Sequence, residues 1–221
     1  MAAAAVTVLD HLLWAVPDLA AGTAAFAELT GVEPRAGGAH PGLGTANALV
    51  ALRRPGTAGV PDAYLELIGP DPAQGLPPER VNLEVGRVRR PGLHTWAVRP
   101  DDLDATVAAA RASGVDVGQV QASSRTTPAG DTLRWRLTSR TPLPLGGAQP
   151  FLIDWYDTPH PAASGLPELE LLELAAVAPD VGQVRRVLDV LGLDVPVVPG
   201  APGLRAVLGT PNGRVELRPA G

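Results

Sequence analysis

The sequence predicts an α+β protein made of paired β-α-β-β-β modules, whose curved mixed sheets enclose a cleft, with a degenerate third β-α-β-β-β module at the end. The main observation is a repeat. A strand-like run, a Pro-Asp pair, a helical run and a closing glycine recur in this order, with Pro-Asp at 17–18, 100–101 and 179–180. Strand-like segments follow each helix. A unit repeated in this way is one supersecondary structure used several times.

The first module covers residues 1–69. Its first strand leads into a helix that Asp18 caps and Gly31 ends. The apolar face of this helix consists of Leu19, Ala24, Phe26, Ala27 and Leu29. Strands are predicted at 6–16, 33–36, 45–54 and 62–69.

The second module covers residues 92–160, after a proline-rich connector at 70–91. Its helix is predicted at 101–113, with Gly114 as the stop. Ala129-Gly130-Asp131 is typical of a hairpin turn. Strands are predicted at 92–98, 115–123, 131–139 and 150–155.

The third module, residues 161–221, repeats the plan more weakly. Its helix begins at Asp180 and ends at Gly192. Strands are predicted at 171–177, 195–198, 204–209 and 213–218. An unpaired module exposes a sheet face that association could cover, so a homodimer is one expectation.

The composition excludes several function classes. The chain of 221 residues has a net charge of -5 and no Lys/Arg-rich run, so neither nucleic acid nor a membrane surface is an expected partner. The absence of cysteine excludes disulfides and thiolate ligands. Residues 1–6 lack the features of a secretory leader, and no apolar run is long enough to span a bilayer. A cytoplasmic location is therefore expected.

Two histidines occupy matching points of the repeat. His11 and His94 each lie six residues before a Pro-Asp pair, and Glu66 and Asp154 lie in the last strand of the same two modules. Two imidazoles and two carboxylates suit a divalent metal such as Zn, Mn, Ni or Fe(II), with open positions for substrate oxygens. The alternative is structural, since such a histidine is often a hydrogen-bonded core residue and such a glutamate an exposed strand residue. In the third module Glu173 replaces the histidine.

The chain resembles the vicinal oxygen chelate superfamily, and its glyoxalase-like domain branch in particular. The resemblance rests on Asp10-His11, the Gly-rich segment 37–47, Tyr64-Leu65-Glu66-Leu67 and Pro150-Phe151-Leu152-Ile153-Asp154-Trp155. It covers about residues 6–160 and implies metal ligands at His11, Glu66, His94 and Asp154. Asp154 departs from the usual glutamate and is one methylene shorter, which leaves open a three-ligand or empty site.

The resemblance implies small-molecule chemistry of the lyase, isomerase or dioxygenase kind. Glu66 or Asp154 could act as general base. Substrate contacts are predicted for His40, Asn47, Arg134 and Trp96. For His40 the alternative is exposure in a loop, for Asn47 a turn contact, and for Arg134 the solvent side of a strand. His160 is expected to be a loop residue.

A second hypothesis is a binding protein without chemistry. In the drug-sequestering relatives of the bleomycin-resistance type, the cleft holds a ligand without a metal. Stacking surfaces for such a ligand are offered by Trp14, Trp96, Trp135 and Trp155. A tight ligand in a metal-free preparation would favour this hypothesis.

Overall fold

A computed structural model describes residues 7–127 and 130–219 of the protein. Ala129 of the predicted hairpin turn and the N-terminal residues 1–6 lie outside the described residues. The element order is β-α-β-β-β three times over, as predicted. The first unit consists of β1 (Thr7–Ala15), α1 (Leu19–Thr30), β2 (Arg35–His40), β3 (Thr45–Arg53) and β4 (Ala63–Pro70). The second consists of β5 (Gly92–Pro100), α2 (Leu103–Ala112), β6 (Gln119–Thr126), β7 (Thr132–Ser139) and β8 (Phe151–Asp154). The third consists of β9 (Glu168–Ala178), α3 (Val181–Val190), β10 (Val197–Pro199), β11 (Gly203–Thr210) and β12 (Gly213–Leu217).

Each of the three helices begins at an aspartate cap. The side chains of Asp18, Asp102 and Asp180 each accept a hydrogen bond from a backbone N–H three residues further on, at 2.9 to 3.0 Å. Such a bond satisfies a donor that has no partner within the helix. In the second unit the cap is Asp102, so α2 begins two residues later than predicted from the Pro-Asp pair.

The strands form one twelve-stranded sheet in which the first two units meet at the centre. Its order is β12-β11-β9-β3-β4-β1-β5-β8-β7-β6, while β2 pairs with β3 and β10 with β9. β1 and β5 are antiparallel neighbours, and each pairs in parallel with the last strand of its own unit, β4 or β8. These pairings place the first and last strands of both units side by side, where the sequence places the predicted ligands.

The third unit keeps the element order but not the strand order. β9 pairs with β11 and β10, and β12 pairs with β11 at the outer edge. The last strand of this unit therefore does not lie beside its first strand. β9 also pairs in parallel with β3, which attaches the third unit to the first within the same chain.

The sheet has two faces with different cores. The three helices and the apolar residues of the third unit pack on one face, here called the helix face, which includes Leu12, Leu65, Leu67 and Trp96. The opposite, concave face carries a smaller cluster around Tyr64, Trp135 and Trp155. Because side chains alternate along a strand, a shift of one residue decides which face a side chain reaches.

The connector 70–91 closes one end of the concave face. It forms short 3-10 turns at Pro72–Gln74, Pro78–Arg80 and Asn82–Arg87. Val81, Val85 and Val88 pack against apolar residues of β1 and β4 there. In the described ranges, no helix combines the length and the apolar character needed to cross a membrane.

β2 lies further along the chain than the predicted strand 33–36, because two glycines allow an irregular edge strand to continue. The register of β2 against β3 shifts between Ala36 and Gly38. At Gly37 an added Cβ would lie 2.2 Å from Asn47 Oδ1, and at Gly38, with φ +132°, it would lie 2.6 Å from a backbone oxygen of β6. Only glycine fits this approach. The shifted strand ends at His40, beside the concave face.

Candidate active site in the concave cleft

The concave face contains a small inner cleft of about 50 Å³. Its polar lining comes mostly from the first unit, and its apolar wall includes strands of the second. Its lining includes His11, His40, Asn47, Tyr64, Glu66, Arg125, Trp135, Phe151 and Trp155. A larger open groove of about 1210 Å³ lies outside, and Arg125 lines both spaces.

A β-bulge places Asp10 and His11 on the same face. β1 pairs Leu9 with Val98 and His11 with Ala97, so Asp10 is an extra residue with no partner on β5. Leu9 and Leu12 on either side belong to the helix-face core, while Asp10 and His11 both reach the concave side. A bulge commonly redirects a side chain in this way. It makes a hydrogen-bonded pair out of two consecutive strand residues.

Asp10 is a fully buried carboxylate with four donors around it. Its Oδ1 accepts from His11 Nδ1 at 2.7 Å. Its Oδ2 accepts from Arg99 Nη1 at 3.2 Å, Trp155 Nε1 at 3.0 Å and His160 Nε2 at 3.1 Å. Burial by itself raises the pKa of Asp10, but the hydrogen bonds from His11 and His160 outweigh it and hold that pKa well below its usual range. Asp10 is therefore ionised at neutral pH.

This network fixes the tautomer of His11. Because an ionised carboxylate only accepts hydrogen bonds, the proton of a neutral His11 lies on Nδ1. The lone pair then lies on Nε2, which is 3.5 Å from Glu66 Oε2. The His11 ring also stacks on Tyr64, with ring centroids 4.6 Å apart. A second hydrogen bond that orients a histidine is typical of catalytic and metal-binding imidazoles.

Glu66 lies on β4 between Leu65 and Leu67, which face the helices, so Glu66 itself faces the cleft. Asn47 Nδ2 donates to Glu66 Oε1 at 2.6 Å. His40 Nε2 lies 3.7 Å from the same oxygen. Glu66 is 6% exposed, so its carboxylate lies in a largely dry setting between two imidazoles.

His40 is held at the end of β2 by the partner strand. Its Nδ1 lies 2.8 Å from Thr45 Oγ1, and its Nε2 lies 3.3 Å from Asn47 Nδ2. Burial lowers the pKa of His40, and the nearby Glu66 offsets only part of this effect. A neutral His40 with Nδ1 bonded to Thr45 offers Nε2 toward the cleft as an acceptor. His40 therefore lines the cleft and is buried, so it is not an exposed loop residue.

Tyr64 and Arg125 add two further polar groups. Burial raises the pKa of Tyr64 well above its usual range, and Asp10 adds to this effect, so the phenol keeps its proton. Arg125 on β6 is 5% exposed and donates through Nη1 to Gly37 O. Burial lowers the pKa of Arg125, but an arginine remains charged at neutral pH.

The structure brings His11 and Glu66 together but places His94 elsewhere. His94 is the extra residue at a second register shift, where Leu13 pairs with Thr95 and Trp14 with Leu93. Its Nε2 lies 2.6 Å from Leu83 O. Because a carbonyl only accepts, His94 Nε2 is the donor in this bond, so this nitrogen carries a proton and is not available as a metal ligand.

Asp154 also lies away from His11 and Glu66. On β8 it is Ile153 that lines the cleft, whereas Leu152 belongs to the helix-face core. Asp154 accepts from Arg136 Nε at 2.8 Å and from Tyr156 N at 3.0 Å. The same Arg136 donates to Asp104 on α2 at 2.7 Å, and these two carboxylates raise its pKa.

Two predicted substrate contacts occupy other places. Trp96 is fully buried in the helix-face core, where its Nε1 donates to Ala148 O at 3.0 Å. Arg134 is exposed and lines the outer groove. Asn47, in contrast, lies at the centre of the site, and its Oδ1 has no hydrogen-bond partner among the described residues.

The comparisons with known proteins identify the family. A family model described as "Glyoxalase-like domain" matches residues 9–192. The chain belongs to the glyoxalase-like domain family. The family match spans the first two units together with β9 and α3 of the third. No curated protein matches the sequence of the chain.

Several solved structures are similar to the chain at low sequence identity. A hypothetical protein from Staphylococcus aureus is 14% identical with a TM-score of 0.61, covering 96% of this chain and 86% of its own. A Mn(II)-bound glyoxalase from Novosphingobium aromaticivorans is 15% identical with a TM-score of 0.48, covering 96% and 81%. Methylmalonyl-CoA epimerase from Mycobacterium tuberculosis is 22% identical with a TM-score of 0.41, covering 69% and 90%.

Proposed function

We propose that this glyoxalase-like domain protein is an enzyme that moves a proton on a small oxygenated metabolite, in an isomerase or lyase reaction, and that it binds a divalent metal. The observation that carries the proposal is the convergence of His11 Nε2, His40 Nε2 and the Glu66 carboxylate on one small buried cleft. This set replaces the four predicted ligands. It keeps His11 and Glu66, and it takes His40 in place of His94 and Asp154.

The donor chemistry suits a divalent ion. Two imidazoles and one carboxylate are common ligands for Zn, Mn, Ni or Fe(II). Each imidazole has a partner on its other nitrogen, Asp10 for His11 and Thr45 for His40, as metal-binding histidines usually do. Among the described residues, one side-chain donor bonds Glu66 at less than 3 Å, and this donor is the Asn47 amide.

The two imidazoles lie near Glu66 at distances close to those of a tetrahedral site, but the three side chains do not form a closed set of ligands. Ligand bonds of about 2.0–2.2 Å place neighbouring ligand atoms about 3.4 Å apart in a tetrahedral site and about 3.0 Å apart at a right angle. The two separations from Glu66 are 3.5 and 3.7 Å. Within 7–127 and 130–219, no group of three or more His, Asp or Glu residues has metal-binding geometry.

A divalent ion bound there would polarise a substrate oxygen and make the adjacent C–H bond more acidic. Glu66 is the base that accepts the proton, and Asn47 holds its Oε1. The protonated Tyr64 hydroxyl supplies a donor for a substrate oxygen in which negative charge develops. The walls formed by Phe151, Trp135 and Trp155 restrict water.

Elemental analysis tests the ligand set. Purified protein is stripped with chelator, reloaded separately with Zn, Mn, Ni and Fe(II), and compared with His11→Ala, His40→Ala and His94→Gln. The glutamine variant keeps a donor for Leu83 O. We expect stoichiometric metal in the parent and in His94→Gln, and at least a tenfold loss of affinity in His11→Ala and His40→Ala.

The outcomes distinguish the alternatives. Loss of metal in His94→Gln together with full metal binding in His40→Ala would support the ligand set first predicted from the sequence, which includes His94 and not His40. Exclusive binding of Fe(II) would replace proton transfer by dioxygenase chemistry. No metal in any preparation would favour the metal-free binding protein, which the aromatic walls of the cleft also suit.

A further inference from the structure

We propose that Arg125 is the recognition site for a carboxylate of the substrate, which makes the substrate a short-chain oxo- or hydroxy-acid. The inference deepens the proposed function and rests on it for the identity of the reacting group. It starts from an unusual feature of the molecule, a buried arginine without a carboxylate partner.

Most hydrogen-bond donors of the Arg125 guanidinium have no partner in the described structure. A guanidinium carries five N–H donors, and the one hydrogen bond of this guanidinium in the described structure is that from Nη1 to Gly37 O. No Asp or Glu of the described ranges lies within ion-pair distance of Arg125, although ten arginine–carboxylate pairs of at most 4.0 Å are formed there by other arginines. A buried charge without a counter-ion is unfavourable, and a bound anion would remove this cost.

The spare donors remain accessible. In the described part of the chain, Asn47 Oδ1 is the only side-chain polar atom that is both sealed from solvent and without a partner. The free nitrogens of Arg125 are therefore not sealed in protein. They are reached from the cavities that Arg125 lines, the inner cleft on one side and the outer groove on the other.

The position of Arg125 defines how a substrate lies. The inner cleft, at about 50 Å³, has room for little more than one small group. A carboxylate paired with Arg125 would place the adjacent carbon toward Glu66 and leave the remainder of the molecule in the outer groove. A planar guanidinium matches a planar carboxylate with two parallel hydrogen bonds. The groove itself carries both signs of charge, since its lining includes Arg35, Arg134, Asp131 and Asp157.

The test measures anion binding to metal-free protein, so that a bound metal cannot hold the carboxylate instead. The fluorescence of Trp135 and Trp155 is followed while acetate, glycolate, pyruvate or inorganic phosphate is added, with acetamide and methyl pyruvate as uncharged analogues. We expect acids to bind at least about tenfold more tightly than their uncharged analogues. Arg125→Gln should abolish this preference, Arg125→Lys should retain part of it, and the exposed Arg111→Gln should leave it unchanged.

The proposal is overturned if no acid binds at millimolar concentration, or if Arg125→Gln, folded by its thermal melting, keeps the preference for acids. Binding of phosphate but not of the acids would also overturn the carboxylate assignment. The two proposals fail separately. Metal binding through His11 and His40 with no effect of Arg125→Gln refutes this inference alone. An Arg125-dependent acid site in a protein that binds no metal refutes the metal proposal alone.

Discussion

Replacement of Asp10 by asparagine tests the buried network most directly. Asp10→Asn keeps the size and shape of the side chain but removes its charge, and it turns one acceptor into a donor. That NH2 group must then face His11 on one side or the three donors Arg99, Trp155 and His160 on the other. We expect the free energy of unfolding to fall by about 3–5 kcal/mol, the usual cost of breaking a buried charge pair on one side.

The assay is urea denaturation at neutral pH, with Asp154→Asn as the matched control. Asp154 also pairs with an arginine, but its side chain is 29% exposed, so its loss should cost about 1 kcal/mol or less. NMR of the imidazole nitrogens supplies a second readout, because the variant no longer forces the His11 proton onto Nδ1. A loss below about 1 kcal/mol for Asp10→Asn, with an unchanged His11 tautomer, would refute the network as described.

The same carboxylate predicts a pH dependence with a definite sign. The pKa of Asp10 is depressed in the folded state, so its stabilising contribution is complete above the unfolded pKa of about 3.9 and is lost as pH falls below that value. The stability of the parent should therefore decline more steeply than that of Asp10→Asn as pH falls below about 4. Parallel pH profiles for the two proteins would contradict the low pKa.

Three further predictions concern single residues. Glu66→Gln should fold normally yet lower any proton-transfer rate by a factor of about 10²–10⁴. Circular dichroism checks the fold, and the turnover rate on an acid that the parent converts checks the catalytic effect. An unchanged turnover rate would exclude Glu66 as the base. Gly37→Ala should displace Asn47 Oδ1, which lies 2.2 Å from the added Cβ. It should cost about 1–3 kcal/mol in thermal unfolding, whereas Gly182→Ala, on α3, should be neutral or stabilising; equal effects would remove the steric argument. Trp96→Phe should destabilise the fold by about 1–3 kcal/mol without changing ligand affinity. Weaker ligand binding at unchanged stability would instead support a substrate contact by Trp96.

The repeat pattern in the sequence predicts the element order of all three units, because it depends on local signals. Aspartate caps, closing glycines and alternating strands are read from neighbouring residues. The strand order of the third unit is not a local property. It follows from the pairing of β9 with β3 and β11, which joins residues 26 or more positions apart.

The faces of single side chains were harder to predict than the elements. The alignment of His11 with His94 assumes unbroken alternation in both strands, yet β1 has an extra residue at Asp10 and β5 has one at His94. Each bulge shifts the alternation by one residue, and no pattern of apolar residues marks it. The bulge also places Asp10 on the cleft side, which alternation alone does not predict. The sequence gives no local signal for the cleft contacts of Arg125 and His160, because both depend on packing between distant segments.

The two bulges explain how a symmetric fold carries an asymmetric site. In the first unit, the bulge at Asp10 places a carboxylate behind His11, and the glycine-rich β2 brings His40 to the same cleft. In the second unit, the positions that face the cleft on β5 and β8 hold Ala97 and Ile153, so this unit supplies an apolar wall. Under the proposed function, the first unit would provide the acid–base and ligand groups, and the second an apolar wall and the charge of Arg125. An anion held by Arg125 at one end of a substrate would fix which carbon lies beside Glu66, whereas four symmetric ligands would not distinguish the two ends.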